Sequence, residues 1–95
     1  MSGKVTGKVT GYSPSGNLIT SITTAELAAA PRDQSTAIRC DEHETVGLFA
    51  PDHKEPDFTF LALLADDGFL HLVIVGESAK AMLGLRINDP VSVTW

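Results

Sequence analysis

Two apolar runs, FTFLALLA over residues 58–65 and FLHLVIV over 69–75, face each other across Asp66-Asp67-Gly68. An Asp-Gly pair between apolar segments is the strongest short-range hairpin signal a sequence can carry, since glycine takes φ > 0 without steric cost. The second run is apolar on both faces. Strand alternation sets Phe69, His71, Val73 and Val75 on one side, and Leu70, Leu72 and Ile74 on the other. Such a strand suits a packed wall or an interface.

The remaining segments are short, and turn chemistry divides them. A strand is predicted around residues 5 to 12, with Val9 and the flanking threonines supplying β-branched side chains. Ser13-Pro14-Ser15-Gly16 is a turn, and NLITSI (17–22) returns as its hairpin partner. TAIRC (36–40) and TVGLF (45–49) read as strands around the acidic connection Asp41–Glu44, and RINDPVSVTW (86–95) ends in another. Two short helices are expected. In TTAELAAAP, Thr23 and Glu26 fit a capping box and Pro31 enforces a stop. In ESAKAMLGL, Ser78 is a candidate N-cap and Gly84 a candidate C′ residue. Seven or so strands with two corner helices predict an all-β domain, a small antiparallel β-barrel, whose closure would remove edges prone to aggregation.

Ninety-five residues make one domain, and 43% apolar content is enough to exclude disorder. A net charge of −5 with scattered basic residues argues against nucleic acid and anionic membrane surfaces as partners. The longest strongly apolar stretch, residues 60–65, is too short for a span, and the N-terminus shows no apolar signal-peptide region. One cysteine, Cys40, precludes an intramolecular disulfide. The expectation is a soluble, cytoplasmic chain.

Few residues stand out chemically. Cys40 and His43 have a C-x₂-H spacing with Asp52 and His53 downstream, which falls short of the paired N/S ligands of a structural zinc site, so no metal is expected. Cys40 lacks the local signature of a nucleophile, no G-x-S-x-G elbow occurs, and the glycine-rich start is no phosphate loop. The carboxylate pairs fall in turns and read as solvated faces, so no catalytic acid or base is assigned. His71, on an apolar strand, is expected to satisfy a backbone carbonyl. Two roles are open to Asn17: its amide reads a ligand edge, or it completes the turn by bonding local backbone.

GKVTGYSPSGNLITSIT near the start and GFLHLVIVGESAKAMLGLRINDPVSV near the end resemble a paired motif. It is that of the C-terminal domain of the S-adenosylmethionine hydroxide adenosyltransferases, which include the fluorinating and chlorinating enzymes. There the domain opens with G-x-V-x-x-I-D-x-F-G-N-L-I-T-N-I and closes with G-x-L-x-I-A-V-N-x-G-x-A-x-x-L-G-L-x-x-G-D-x-V. The matching positions are Gly16 to Thr20 and Ser78-Ala79, Leu83-Gly84-Leu85 and Asp89 to Val91, where Pro90 follows the aspartate.

The resemblance implies a small antiparallel β-barrel that holds the adenine and methionine ends of a ligand, adenosine or S-adenosylmethionine. Asn17 matches the family asparagine, Phe49 an aromatic lining the adenine pocket, and Ser78 and Ala79 small residues near the adenine edge. It also implies that catalysis needs a larger α/β domain, normally from a neighbouring subunit, which this chain does not contain. The isolated chain is therefore expected to be non-catalytic. It would bind an adenosine-type ligand or serve as an interaction subunit. One alternative is half of a split hydrolase giving adenosine and methionine with a separate α/β partner; another is a homo-oligomerisation module using the strand over 69–75 and Trp95. The departures are specific. Tyr12 stands where the family aspartate holds the substrate amino group, Ser15 replaces an aromatic, and Val75 replaces an asparagine. Asp66-Asp67 replace a Ser-Arg pair that grips the carboxylate, and two acids repel a carboxylate.

Overall fold

The computed structural model describes residues 3–40 and 42–95, so Asp41 of the predicted acidic connection lies outside the described residues. Eight strands follow in chain order among them: β1 (Lys4–Tyr12), β2 (Leu18–Thr23), β3 (Ala37–Cys40), β4 (His43–Val46), β5 (Leu48–Phe49), β6 (Phe60–Leu64), β7 (Phe69–Ile74) and β8 (Pro90–Thr94). The Asp-Gly hairpin forms as its sequence predicts. Strands β6 and β7 pair antiparallel from Phe60↔Ile74 to Leu64↔Leu70, and the turn closes through Gly68 N–H to Ala65 O at 3.2 Å.

All eight strands join one sheet in the order β4-β3-β8-β1-β2-β7-β6-β5. Its two ends, β4 and β5, are separated in the chain by Gly47 alone, so the sheet has to curl until its edges meet. The predicted strand over 45–49 therefore breaks at Gly47, whose φ of +83° turns the chain from one edge to the other. Thr45 Oγ1 on β4 donates across the seam to the carbonyl of Phe60 on β6 at 2.8 Å. The result is a nearly closed small barrel, antiparallel except for the β5–β6 pair, which is parallel.

Alternation fills the inside. Leu18, Thr20 and Ile22 of β2, Leu70, Leu72 and Ile74 of β7, Ile38 and Cys40 of β3, and Val91 and Val93 of β8 are all buried. Thr20 meets the cost of burying a hydroxyl by donating to Leu70 O at 2.7 Å. Strand β7 is also covered on its other face, where His71 and Val73 are buried beside fully buried Leu61 of β6. Segment 50–59 is tied to the end of that strand by Phe58 N–H to Val75 O and Val75 N–H to Thr59 O. The two-faced run is thus a packed wall, with only Phe69 substantially exposed. Trp95 is half-buried against the core, and its backbone exchanges two hydrogen bonds with Gly3.

The second predicted helix is α1 (Ala79–Leu83), with its caps where the sequence put them. Ser78 Oγ accepts from Ala81 N–H, and Gly84 N–H donates to Lys80 O. The first predicted helix is a correction: residues 24–29 form successive turns, leaving one helix among the described residues. The capping box is present, with Thr23 N–H on Glu26 Oε1 and Glu26 N–H on Thr23 Oγ1. Beyond it the backbone bonds run three residues back, Leu27 to Thr24 and Ala28 to Ala25. Thr23 is still paired to Phe69, and Pro31 follows within eight residues, so too little chain remains to repay helix nucleation. Burial of Leu27 and Ala30 in the core fixes the segment instead. No helix among the described residues is long and apolar enough to cross a membrane.

Candidate functional site

Turn 13–17 is closed without the side chain of Asn17. Ser13 N–H donates to Asn17 O at 2.8 Å, Gly16 N–H to Ser13 O at 2.9 Å, and Asn17 N–H to Ser13 Oγ at 3.0 Å. Of the two roles open to this asparagine, local closure falls instead to Ser13. The Asn17 amide makes no hydrogen bond among the described residues, and Asn17 lines a cleft of about 550 Å³.

The opposite wall of that cleft comes from the other end of the chain. Gly16, at φ +91°, lies so close to Ser78 that a Cβ there would be 2.6 Å from the Ser78 Cβ. Its carbonyl accepts from Lys80 N–H at 2.8 Å, which satisfies one of the amides that the first turn of α1 leaves unpaired. The two halves of the sequence motif therefore touch, at Gly16 and Ser78. Ser78 lines the cleft, and because its Oγ already accepts from Ala81 N–H, its proton remains available for donation.

His53, for which the sequence suggests no ligand-binding role, lines the same cleft together with Val73, Val75 and Glu77. Glu55 N–H donates to its Nδ1 at 3.2 Å. That nitrogen is then the acceptor of the ring, and Nε2–H its donor. Phe49 packs edge-on against His53, with centroids 6.3 Å apart and planes at 78°. Of the four anticipated ligand residues, Asn17 and Ser78 line the cleft and Phe49 contacts His53, which lines it. Ala79 is fully buried in the core next to Ser78. No signal in the sequence points to His53, since its placement depends on the path of segment 50–59.

A second cleft of about 520 Å³ adjoins the first, sharing Ser15 and Ser78 with it. Tyr12 and Lys80 line it, and the Lys80 ammonium lies 4.3 Å from the centre of the Tyr12 ring.

Other conspicuous residues are committed elsewhere. His71 Nε2–H donates to Asp67 Oδ2 at 2.9 Å, so its partner is a carboxylate rather than the backbone carbonyl expected. The backbone N–H of Phe69 holds the Asp67 carboxyl below its usual value, opposed by desolvation and helped to a lesser degree by the hydrogen bond and charge of His71. Cys40 is buried in the core, and His43 Nε2–H donates to Leu83 O at 3.0 Å at the end of α1. No three histidine, cysteine or carboxylate side chains among the described residues are grouped to hold a metal.

No protein-family model matches the chain, and no curated protein matches it. Among solved structures it is similar to an uncharacterised conserved protein from Thermotoga maritima, with a TM-score of 0.73 and 21% identity over 95% of this chain. A conserved hypothetical protein from Thermus thermophilus is similar as well, with a TM-score of 0.68 and 19% identity over 93% of this chain. The chain spans only 35% and 34% of those two proteins, about a third of their length. At such identities the likeness shows a shared fold.

Proposed function

We propose that this barrel is a binding module for an adenosine-type ligand, non-catalytic in isolation, and that the ligand sits in the cleft between Asn17 and Ser78. The observation that carries this reading is the state of Asn17. Its backbone is fixed by the turn, while its side-chain amide, with two donors and an acceptor, has no partner among the described residues, and the residue lines the cleft. A heterocycle edge presents the complementary pattern. Ser78 O–H and His53 Nε2–H add donors for ring nitrogens or ribose hydroxyls, and Val73 and Val75 add apolar surface. The resemblance of the two end motifs to the adenosyltransferase C-terminal domain supports the same ligand class.

The test is titration of isotopically labelled protein with adenosine and with S-adenosylmethionine. Saturable amide shifts at Asn17, His53 and Ser78, with a Kd tighter than ~1 mM (about −4 kcal/mol), are expected. Asn17→Ala is expected to weaken binding at least tenfold while leaving the unfolding midpoint nearly in place, because that amide makes no hydrogen bond among the described residues. Unshifted amides at millimolar ligand would remove the proposal.

A second reading is favoured by the length of the structural neighbours, in which the shared fold occupies about a third of the chain. Here the cleft is one wall of a larger site that an α/β partner completes, and the pair hydrolyses S-adenosylmethionine to adenosine and methionine. Turnover that appears only on adding such a partner would favour it.

A further inference from the structure

The second cleft differs in charge from the first. Glu77 lines the first, whereas the only charged side chain lining the second, among the described residues, is Lys80. Lys80 forms no ion pair among the described residues, in a chain whose net charge is −5. The Tyr12 ring beneath it holds the ammonium by cation–π attraction without neutralising it. Ser13 and Ser15, joined by a 3.0 Å hydroxyl contact, place two hydroxyls along the same wall, and Ser78 belongs to both clefts. A ligand that reaches past Ser78 therefore leaves a region bounded by a carboxylate and enters one with a fixed cation and hydroxyl donors.

From this we infer, resting on the proposed adenosine site, that the two clefts are lobes of one site and that the Lys80 lobe receives an anionic group. The ligand class is then a nucleoside bearing a phosphate, with its heterocycle between Asn17 and His53 and its phosphate at Lys80. A free ammonium, as on an amino-acid tail, has no acid to meet in this lobe, because Tyr12 and Lys80 occupy it. Phosphate suits it better than carboxylate because it brings more charge and three acceptor oxygens to one ammonium and the neighbouring hydroxyls.

The experiment compares adenosine 5′-monophosphate with adenosine by calorimetry or amide shifts, on the wild-type chain and on Lys80→Gln and Lys80→Arg. The expected result is an affinity ratio of about five or more in favour of the monophosphate at low salt, shrinking at about 0.5 M NaCl as screening requires. That ratio should fall to near one in Lys80→Gln and recover in Lys80→Arg. Adenosine binding with a ratio near one in the wild type overturns the anionic lobe and leaves the adenosine site standing. A ratio that survives Lys80→Gln overturns the assignment to Lys80. Binding of neither compound at millimolar concentration removes the adenosine site, and this inference with it.

Discussion

Gly16→Ala tests the contact on which the whole site depends. Two separate costs follow from the local geometry. The backbone sits at φ +91°, which costs a residue with a Cβ about 1–2 kcal/mol. The new methyl would also lie 2.6 Å from Ser78 Cβ and 3.0 Å from its Cα, closer than carbon atoms approach, so turn and helix have to separate. Overpacking of that kind costs roughly 1–3 kcal/mol, and separation also endangers the Lys80 N–H to Gly16 O bond at the start of α1. Together they predict a loss of about 3 kcal/mol, a large part of the roughly 5–15 kcal/mol that holds a small domain together. At about 4–8 °C per kcal/mol for a chain of this size, the melting temperature should drop by more than about 10 °C.

Thermal and urea unfolding followed by circular dichroism would measure it, with Gly11→Ala as the control. Gly11 has open space at its Cβ position and no positive φ, so its substitution should change stability by less than about 1 kcal/mol. Two further variants separate the causes. Gly16→Asn tolerates the left-handed backbone but keeps the Cβ, so it should remain nearly as damaging if crowding dominates. In a Ser78→Gly background the obstructing Cβ and Oγ are gone, and Gly16→Ala should become cheaper by about 1–3 kcal/mol, a coupling that independent sites do not show. Equal costs at Gly16 and Gly11, or strict additivity with Ser78→Gly, would refute the close approach.

Two other perturbations have a definite sign. Asp67→Ala leaves the buried His71 Nε2–H without its carboxylate, but with Asp67 44% exposed to water the loss should be about 1 kcal/mol or less in urea unfolding at neutral pH. Because folding holds the Asp67 carboxyl below its usual value, its contribution is present above about pH 4 and is lost as the pH falls through the depressed folded value. The variant should therefore show a flatter acid limb than the wild type, and an unchanged limb would count against a depressed Asp67 carboxyl. Phe58 occupies φ +69° and is 66% exposed, an unfavourable backbone for a bulky residue with little packing in return. Phe58→Asn should raise stability by roughly 0.5–1 kcal/mol, measured as a higher melting temperature, and a fall would show that the ring contributes more than its exposure suggests.

Legibility in the sequence followed the range of the interaction. The hairpin at Asp66–Gly68, the Ser78 and Gly84 caps of α1 and the Thr23–Glu26 box are all fixed by residues within a few positions of one another, and each is present. The box did not carry a helix, because what decided residues 24–29 was the strand before them, the proline after them and the burial of Leu27. Nothing near Gly47 announces that the strand there divides between opposite ends of the sheet, or that Leu48 and Phe49 pair parallel to β6. The site shows the same split. Asn17 and Ser78 stand in motifs that can be read, whereas His53 joins them through the path of a loop and Lys80 through its position over a ring 68 residues earlier in the chain.

The polar side chains of the site are each anchored through atoms other than those they leave free. Asn17 is held by its backbone, which leaves the whole amide uncommitted. Ser78 uses a lone pair to cap α1, which leaves its proton. His53 uses Nδ1 to accept from Glu55, which leaves Nε2–H. Each is positioned through one set of atoms and presents another, the arrangement that keeps a binding group in place without cancelling its chemistry. His71 is the contrast. It is the histidine that the sequence makes conspicuous, in the middle of an apolar strand, yet its donor is spent on Asp67 and its ring is buried in the wall. Polar residues that look exceptional along the chain are often those the fold has already satisfied. Here three residues with an unused donor or acceptor, Asn17, His53 and Ser78, line one cleft, and that grouping is the basis for proposing a ligand there.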